Sequence, residues 1–129
     1  MATILVVDDN AVIRRLTSVM LRRAGHTPVA AEGAAEALHV LAETPVELAL
    51  LDLAMPGVDG LTLLKQLRAD PRYHDLPIIM LTASAQDQDR LDARAAGAND
   101  FLNKPASSAE LLETVNRWLP QAATGLTAA

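Results

Sequence analysis

Short apolar runs recur along the chain at residues 4–7, 29–31, 48–51, 78–81 and 101–102. Three of them are solidly apolar rather than alternating, the pattern of strands covered on both faces. Between the runs, apolar positions return every three or four residues, as on one face of a helix. Ile13, Leu16, Thr17, Met20, Leu21 and Ala24 form the first such stripe, and Ala34, Ala37, Leu38 and Leu41 the second. Leu61, Leu64 and Leu67 form the third, and Leu111, Leu112, Val115, Trp118 and Leu119 the last. The fourth helix, about 87–96, is the poorest. Only Leu91 and small alanines offer an apolar face, so it is expected to dock loosely.

Local signals mark the boundaries. Ser107 with Glu110 three residues on is a capping-box pattern opening the last helix. Ser84 with Asp87 is a weaker version before the fourth. Gly25 and Gly97 stand where helix C-caps belong. Pro45, Pro77 and Pro120 mark points that helix cannot pass. Five alternations of strand and helix imply a parallel sheet with helices on both faces, joined by right-handed crossovers. The flavodoxin-like doubly wound α/β order 2-1-3-4-5, with five helices, is the common solution. We expect one domain over residues 1–120, and a flexible tail or linker stub over 121–129.

Composition narrows the chemistry. With 129 residues, half of them hydrophobic, the chain has room for one core. The absence of cysteine removes disulfides, iron–sulfur clusters and thiolate zinc sites. A net charge of −5 argues against a nucleic-acid groove, and the Arg14, Arg15, Arg22 and Arg23 group reads as a solvated helix face. No signal peptide and no membrane-length apolar run is recognisable, so a cytoplasmic location is expected.

Ligands of open parallel sheets bind past the carboxyl ends of the strands. Those positions here hold Asp8, Asp9 and Asn10; Asp52 and Ala54; Thr82; and Asn103, Lys104 and Pro105. In the expected order the first and third strands are neighbours, so three carboxylates converge. Two carboxylates about 5 Å apart repel by roughly 3 kcal/mol at an effective dielectric near 20. Three demand a cation, a raised pKa, or both. An all-oxygen site with open positions suits magnesium. Each residue alone has a bland reading: a turn aspartate, a strand threonine, a solvated lysine. Their joint placement on one edge favours chemistry, and Asp52, a charge ending a buried strand, weighs most.

These residues resemble the receiver domains of two-component response regulators over about residues 3–119. The match comprises Asp8-Asp9, Asp52 followed by Met55-Pro56-Gly57 and Gly60, Thr82-Ala83, and Lys104-Pro105. The resemblance implies that Asp52 accepts a phosphoryl group from a histidine kinase or phosphotransfer protein. It implies that Asp9, assisted by Asp8, Asp52 and the backbone carbonyl of Ala54, holds Mg2+, and that Lys104 holds a phosphoryl oxygen, with a cis bond to Pro105. Thr82 and Phe101 would be the switch pair, and the fourth helix, fifth strand and fifth helix the output face. From the residues alone, Phe101 reads as a plain core aromatic.

Such a chain is a signalling domain rather than an enzyme, although it can promote its own phosphorylation and dephosphorylation. Ala54 and Ser84 offer no charged or amide group to position an attacking water, which implies slow dephosphorylation. Rival readings fare worse. A haloacid-dehalogenase-type phosphatase would need a second Asp where Ala54 stands. A nucleotide or flavin module would need a glycine-rich turn where Asp8-Asp9-Asn10 stands. A degenerate receiver serving only as a scaffold is the remaining alternative. The downstream target, and whether the chain is a stand-alone receiver or part of a larger protein, are not written in these residues. A phosphorylation-dependent dimer is compatible with them but has no residue-level support.

Overall fold

A computed structural model describes residues 2–55, 57–83 and 87–119. Pro56, Ser84, Pro120 and the expected tail at 121–129 lie outside the described residues. The element order is β1 (Thr3–Val7), α1 (Ala11–Arg23), β2 (Thr27–Ala31), α2 (Ala34–Glu43), β3 (Leu48–Asp52), α3 (Gly60–Ala69), β4 (Ile78–Thr82), α4 (Asp87–Ala95), β5 (Asp100–Asn103) and α5 (Ser108–Trp118). All neighbouring strands pair in parallel, in the order β2-β1-β3-β4-β5. The strands extend the apolar runs by up to two residues at either end, because backbone pairing continues past the last buried side chain.

The pleat divides the core in two. Leu5, Val7, Ala49, Leu51, Ile78 and Met80 point to the side covered by α2, α3 and α4. Ile4, Val6, Leu48, Leu50, Ile79 and Leu81 point to the side covered by α1 and α5. β1, β3 and β4 have almost no exposed residue, which is why their sequences do not alternate.

Caps fix where the helices start. The Ser107 hydroxyl accepts from the Glu110 amide at 3.1 Å, and the Glu110 carboxylate accepts from the Ser107 amide at 3.4 Å, completing the capping box of α5. Asn10 caps α1 by accepting from Val12 and Ile13 at 3.0 and 3.1 Å. Asp59 caps α3 through Thr62 at 2.8 Å. Gly25 and Gly97, just past α1 and α4, take φ of 92° and 108°, the left-handed conformation of a helix stop.

Three leucines face differently from their expected stripes. Leu16 and Leu38 are exposed, while Ser18 is buried in α1 and spends its hydroxyl on the Arg14 carbonyl at 2.8 Å. Leu91 is 60% exposed, and Ala93 is the buried residue of α4.

The lower end of the sheet is tied by one guanidinium. Arg68, on the last turn of α3, donates to the carbonyls of Gly97, Tyr73 and His74 at 3.0, 3.0 and 3.1 Å, and to Asn99 Oδ1 at 2.8 Å. Asn99 Oδ1 also accepts from the Ile78 amide at 2.9 Å, so the network joins α3, β4 and the end of α4. Burial holds the Arg68 pKa below its ordinary value, and the four acceptors offset that cost. Arg68→Ala should lower the urea unfolding free energy by about 2 kcal/mol, with Arg68→Lys recovering little because an ammonium lacks the planar fork. A loss under about 0.5 kcal/mol in Arg68→Ala would show the network to be decorative.

Candidate functional site

The site forms where β1, β3 and β5 end. Asp8 follows β1 directly and is fully buried; its amide donates to the Ala31 carbonyl at 3.2 Å, and its Oδ1 accepts from the Asn10 amide at 2.9 Å. Asp9, the next residue, is exposed. Asp52 closes β3 with only 2% exposure. Ligand oxygens of Asp8, Asp9 and Asp52 all lie within 4.8 Å of one another.

Lys104 supplies the counter-charge. Its ammonium lies 3.0 Å from Asp8 Oδ2 and 3.2 Å from Asp52 Oδ1. Burial alone would lower its pKa, but the two carboxylates outweigh burial and raise it. One ammonium is too little for three carboxylates. Burial, then the charge of Asp8, pushes the Asp52 carboxyl up to about 7 against the pull of Lys104. Asp8 Oδ2 is buried and makes no hydrogen bond, leaving the ion pair with Lys104 as its contact among the described residues. The Lys104–Pro105 peptide bond is cis.

The backbone around Asp52 is held from both sides. The Ala54 amide donates to Asp52 Oδ1 at 3.3 Å, the Leu53 amide to the Leu81 carbonyl at 2.9 Å, and the Gly60 amide to the Leu53 carbonyl at 3.0 Å. Gly60 brings α3 against this loop so closely that a Cβ there would sit 2.1 Å from the Asp52 carbonyl oxygen. No side chain fits, not even a methyl. On the other side, Arg14 donates to the Asp8 carbonyl at 2.7 Å and lies 3.7 Å from Glu32.

The pleat also sorts the remaining residues. Thr82 is buried at the end of β4, and its register partner is Asn103. Phe101 pairs with Met80 and is half-buried against the α3–α4 side, with the Arg94 guanidinium 5.2 Å from its ring centroid. Thus Asp8, Asp52 and Lys104 meet in one cluster, while Thr82 and Phe101 line the neighbouring side of the sheet.

Arg14 is the residue that pattern reading missed. It was grouped with three other arginines as a solvated face, yet its side chain is largely buried against the β1–α1 loop. Asn10 was legible by a rule left unapplied, since an asparagine directly before an apolar-periodic stretch is an N-cap signal.

A parallel five-stranded sheet with an acidic crevice and a facing lysine defines a signalling domain, and the chain belongs to the response regulator receiver domain family, whose model matches residues 4–116. It is therefore the receiver domain of a two-component response regulator. It is 37% identical over 123 residues to the phosphate regulon transcriptional regulatory protein PhoB of Pseudomonas aeruginosa, covering 95% of this chain and 54% of that protein. Identity is also 37% to the DNA-binding dual master transcriptional regulator RpaA of Synechocystis, with 95% and 54% covered. The chain spans about half the length of the curated relatives it matches. Among solved structures, chemotaxis protein CheY4 of Vibrio cholerae superposes with a TM-score of 0.88 at 33% identity, covering 92% of this chain and 99% of that one. A response regulator receiver protein from Pseudomonas putida gives 0.85 at 37% identity, covering 90% and 96%.

The raised Asp52 pKa has a direction that can be measured. Below the ordinary value of 3.8, Asp52 is protonated in both states and its contribution to stability is fully present. As pH rises towards the folded value of about 7, the unfolded chain sheds the proton first, and stability is lost. Without divalent cations, the unfolding free energy should therefore fall between about pH 5 and 7, and the slope should be shallower in Asp52→Asn. Equal slopes in the two proteins would contradict the assignment.

Proposed function

We propose that Asp52 is the phosphoacceptor of this receiver, taking a phosphoryl group from a sensor histidine kinase or phosphotransfer protein in a magnesium-dependent reaction. The observation that carries the reading is the buried cluster of Asp8, Asp52 and Lys104, which holds more negative charge than one ammonium neutralises. Asp8 Oδ2, buried with the Lys104 ion pair as its contact, and the all-oxygen donor set fit a hard divalent cation. Asp8, Asp9, Asp52 and the carbonyl of Ala54 would hold Mg2+. When bound, the ion supplies positive charge that favours ionised Asp52 and offsets the charge of the phosphoryl oxygens.

An Asp52 carboxylate oxygen forms a bond to phosphorus as the phosphorus–nitrogen bond of the donor phosphohistidine breaks. The electron pair of that bond returns to the imidazole, and Asp52 is left as an acyl phosphate. Lys104, already poised over Asp52, holds a phosphoryl oxygen. The donor meets the domain across the first turns of α1, which start two residues past Asp9 and expose Val12 and Leu16. The new dianionic charge draws the Thr82 hydroxyl, and Phe101 turns into the space that the threonine leaves. The α4–β5–α5 face then presents a different surface to a downstream partner.

The reading assigns no nucleic-acid contact to this domain, in keeping with the net charge of −5. The transcriptional relatives each have a further half beyond the matched region. No helix among the described residues is long and apolar enough to cross a membrane, and we place the domain in the cytoplasm with its donor.

Intact-mass measurement after incubation with acetyl phosphate tests the reading. The wild-type chain should gain one phosphoryl group only with magnesium present, Asp52→Asn should gain none, and the adduct should outlast a few seconds because Ala54 offers no group to orient water. A chain that takes no phosphoryl group, with no response to magnesium, would be a scaffold.

A further inference from the structure

The fourth helix is anchored to the sheet by charge rather than by a hydrophobic face. Its inner surface buries one alanine, Ala93, while Leu91 points to solvent. Two arginines one turn apart reach β5. Arg90 donates to Asn103 Oδ1, and Arg94 lies over the ring of Phe101. Residues four apart on a helix share a face, and residues two apart on a strand share a side, so both arginines engage the same side of β5. The two ends of α4 are held unequally. Past its C-terminal end, Gly97 is bonded to Arg68, the Ala98 amide donates to the Ala93 carbonyl at 2.9 Å, and the Asn99 amide donates to the Ile78 carbonyl at 2.8 Å. Arg94 stands in the last turn of α4 and Arg90 one turn earlier, so both arginines act ahead of the anchor at Gly97.

We propose that Arg90 and Arg94 form a latch that holds the receiver in its resting state, Arg94 by keeping the Phe101 ring half-exposed and Arg90 by tying α4 to the residue that precedes Lys104. The inference rests on the receiver reading and adds to it the residues that set its resting bias. A cation over an aromatic face stabilises that position of the ring only while the ring stays beneath it. Inward rotation of Phe101 forfeits the contact, so the arginine opposes the switch. Asn103 is the register partner of Thr82, and Lys104 donates its amide to the Thr82 carbonyl at 2.8 Å. A pull on Thr82 therefore reaches the Arg90 anchor through one strand pairing. Both arginines act through other residues and are positioning residues.

Two measurements test the latch. Trp118 donates its indole N–H to Asp100 at 2.8 Å, one residue before Phe101, so its fluorescence reports on β5. Titration with beryllofluoride and magnesium should show tighter binding to Arg94→Ala than to wild type, by about two- to fivefold, because a resting state that has lost its cation–π contact competes less. The gain should vanish when Arg94→Ala is placed in a Phe101→Leu background, which has no ring to hold. Arg90→Ala should shift affinity in the same direction. In the unmodified protein, amide hydrogen exchange in α4 should accelerate in both variants, while the Asn99 amide, bonded to the Ile78 carbonyl of β4, keeps its wild-type rate. Unchanged exchange in α4, or unchanged or weaker beryllofluoride binding by Arg94→Ala, would overturn the latch. Failure of the wild-type chain itself to bind beryllofluoride would instead remove the receiver reading, and the inference with it.

Discussion

A carboxylate cannot end a fully buried strand unless something shares its charge, and the upper edge of this molecule is organised around that constraint at Asp52. The sheet order places β1 and β3 side by side, so Asp8 arrives as a second buried charge and not as a partner. Lys104 then has to reach across from β5, past β4, to lie between them. Its compromise is incomplete, since burial and the charge of Asp8 still hold the Asp52 pKa above its ordinary value. The backbone is shaped to the same end. Gly60 lets α3 close on the Asp52 loop, and Arg14 and Asn10 hold the loop that carries Asp8 and Asp9. A site assembled this tightly without its full positive charge is primed to gain more from binding a cation than from any internal adjustment.

The division of the core gives that site a direction. Asp8, Asp52 and Lys104 belong to the α1–α5 side, and Thr82, Phe101 and Asn103 to the α3–α4 side. Asp8, Asp52 and Lys104 are therefore separated from Thr82 and Phe101 by the thickness of the sheet. The elements that bridge the two are the ends of β4 and β5, and β5 is the shortest strand, at four residues, on the edge of the sheet. A short edge strand shifts more readily than a central one because one neighbour, not two, resists the movement.

Most of the architecture was legible in the chain. Five apolar runs, three of them solid, with helical stripes between them admit few arrangements, and the placement of acidic and basic residues past the strand ends singles out one edge. What was not legible has a common cause. On α1 the stripe holds at Ile13, Thr17, Met20 and Leu21 but not at Leu16, because Val12 and Leu16 are as apolar as the inward residues and periodicity alone does not set the edge of the buried face. Leucine usually faces the core, but on α4 the buried residue is Ala93 and Leu91 is exposed. Arg68 and Arg14 were invisible for a different reason. Their acceptors are mostly backbone carbonyls of neighbouring loops, and a carbonyl carries no residue-type signal.

The two outer strands are also the places where a foreign strand could attach. β2 carries Pro28 opposite Ile4, interrupting its row of donors, and β5 is short, with Arg90 and Arg94 leaning over it from α4 and Arg117 bonded to Asp100 from α5. Neither edge offers the long, bare ribbon that templates sheet extension. Recognition of this domain is thereby confined to helix faces and side chains. Copies of the chain can therefore crowd together without a strand edge seeding their aggregation.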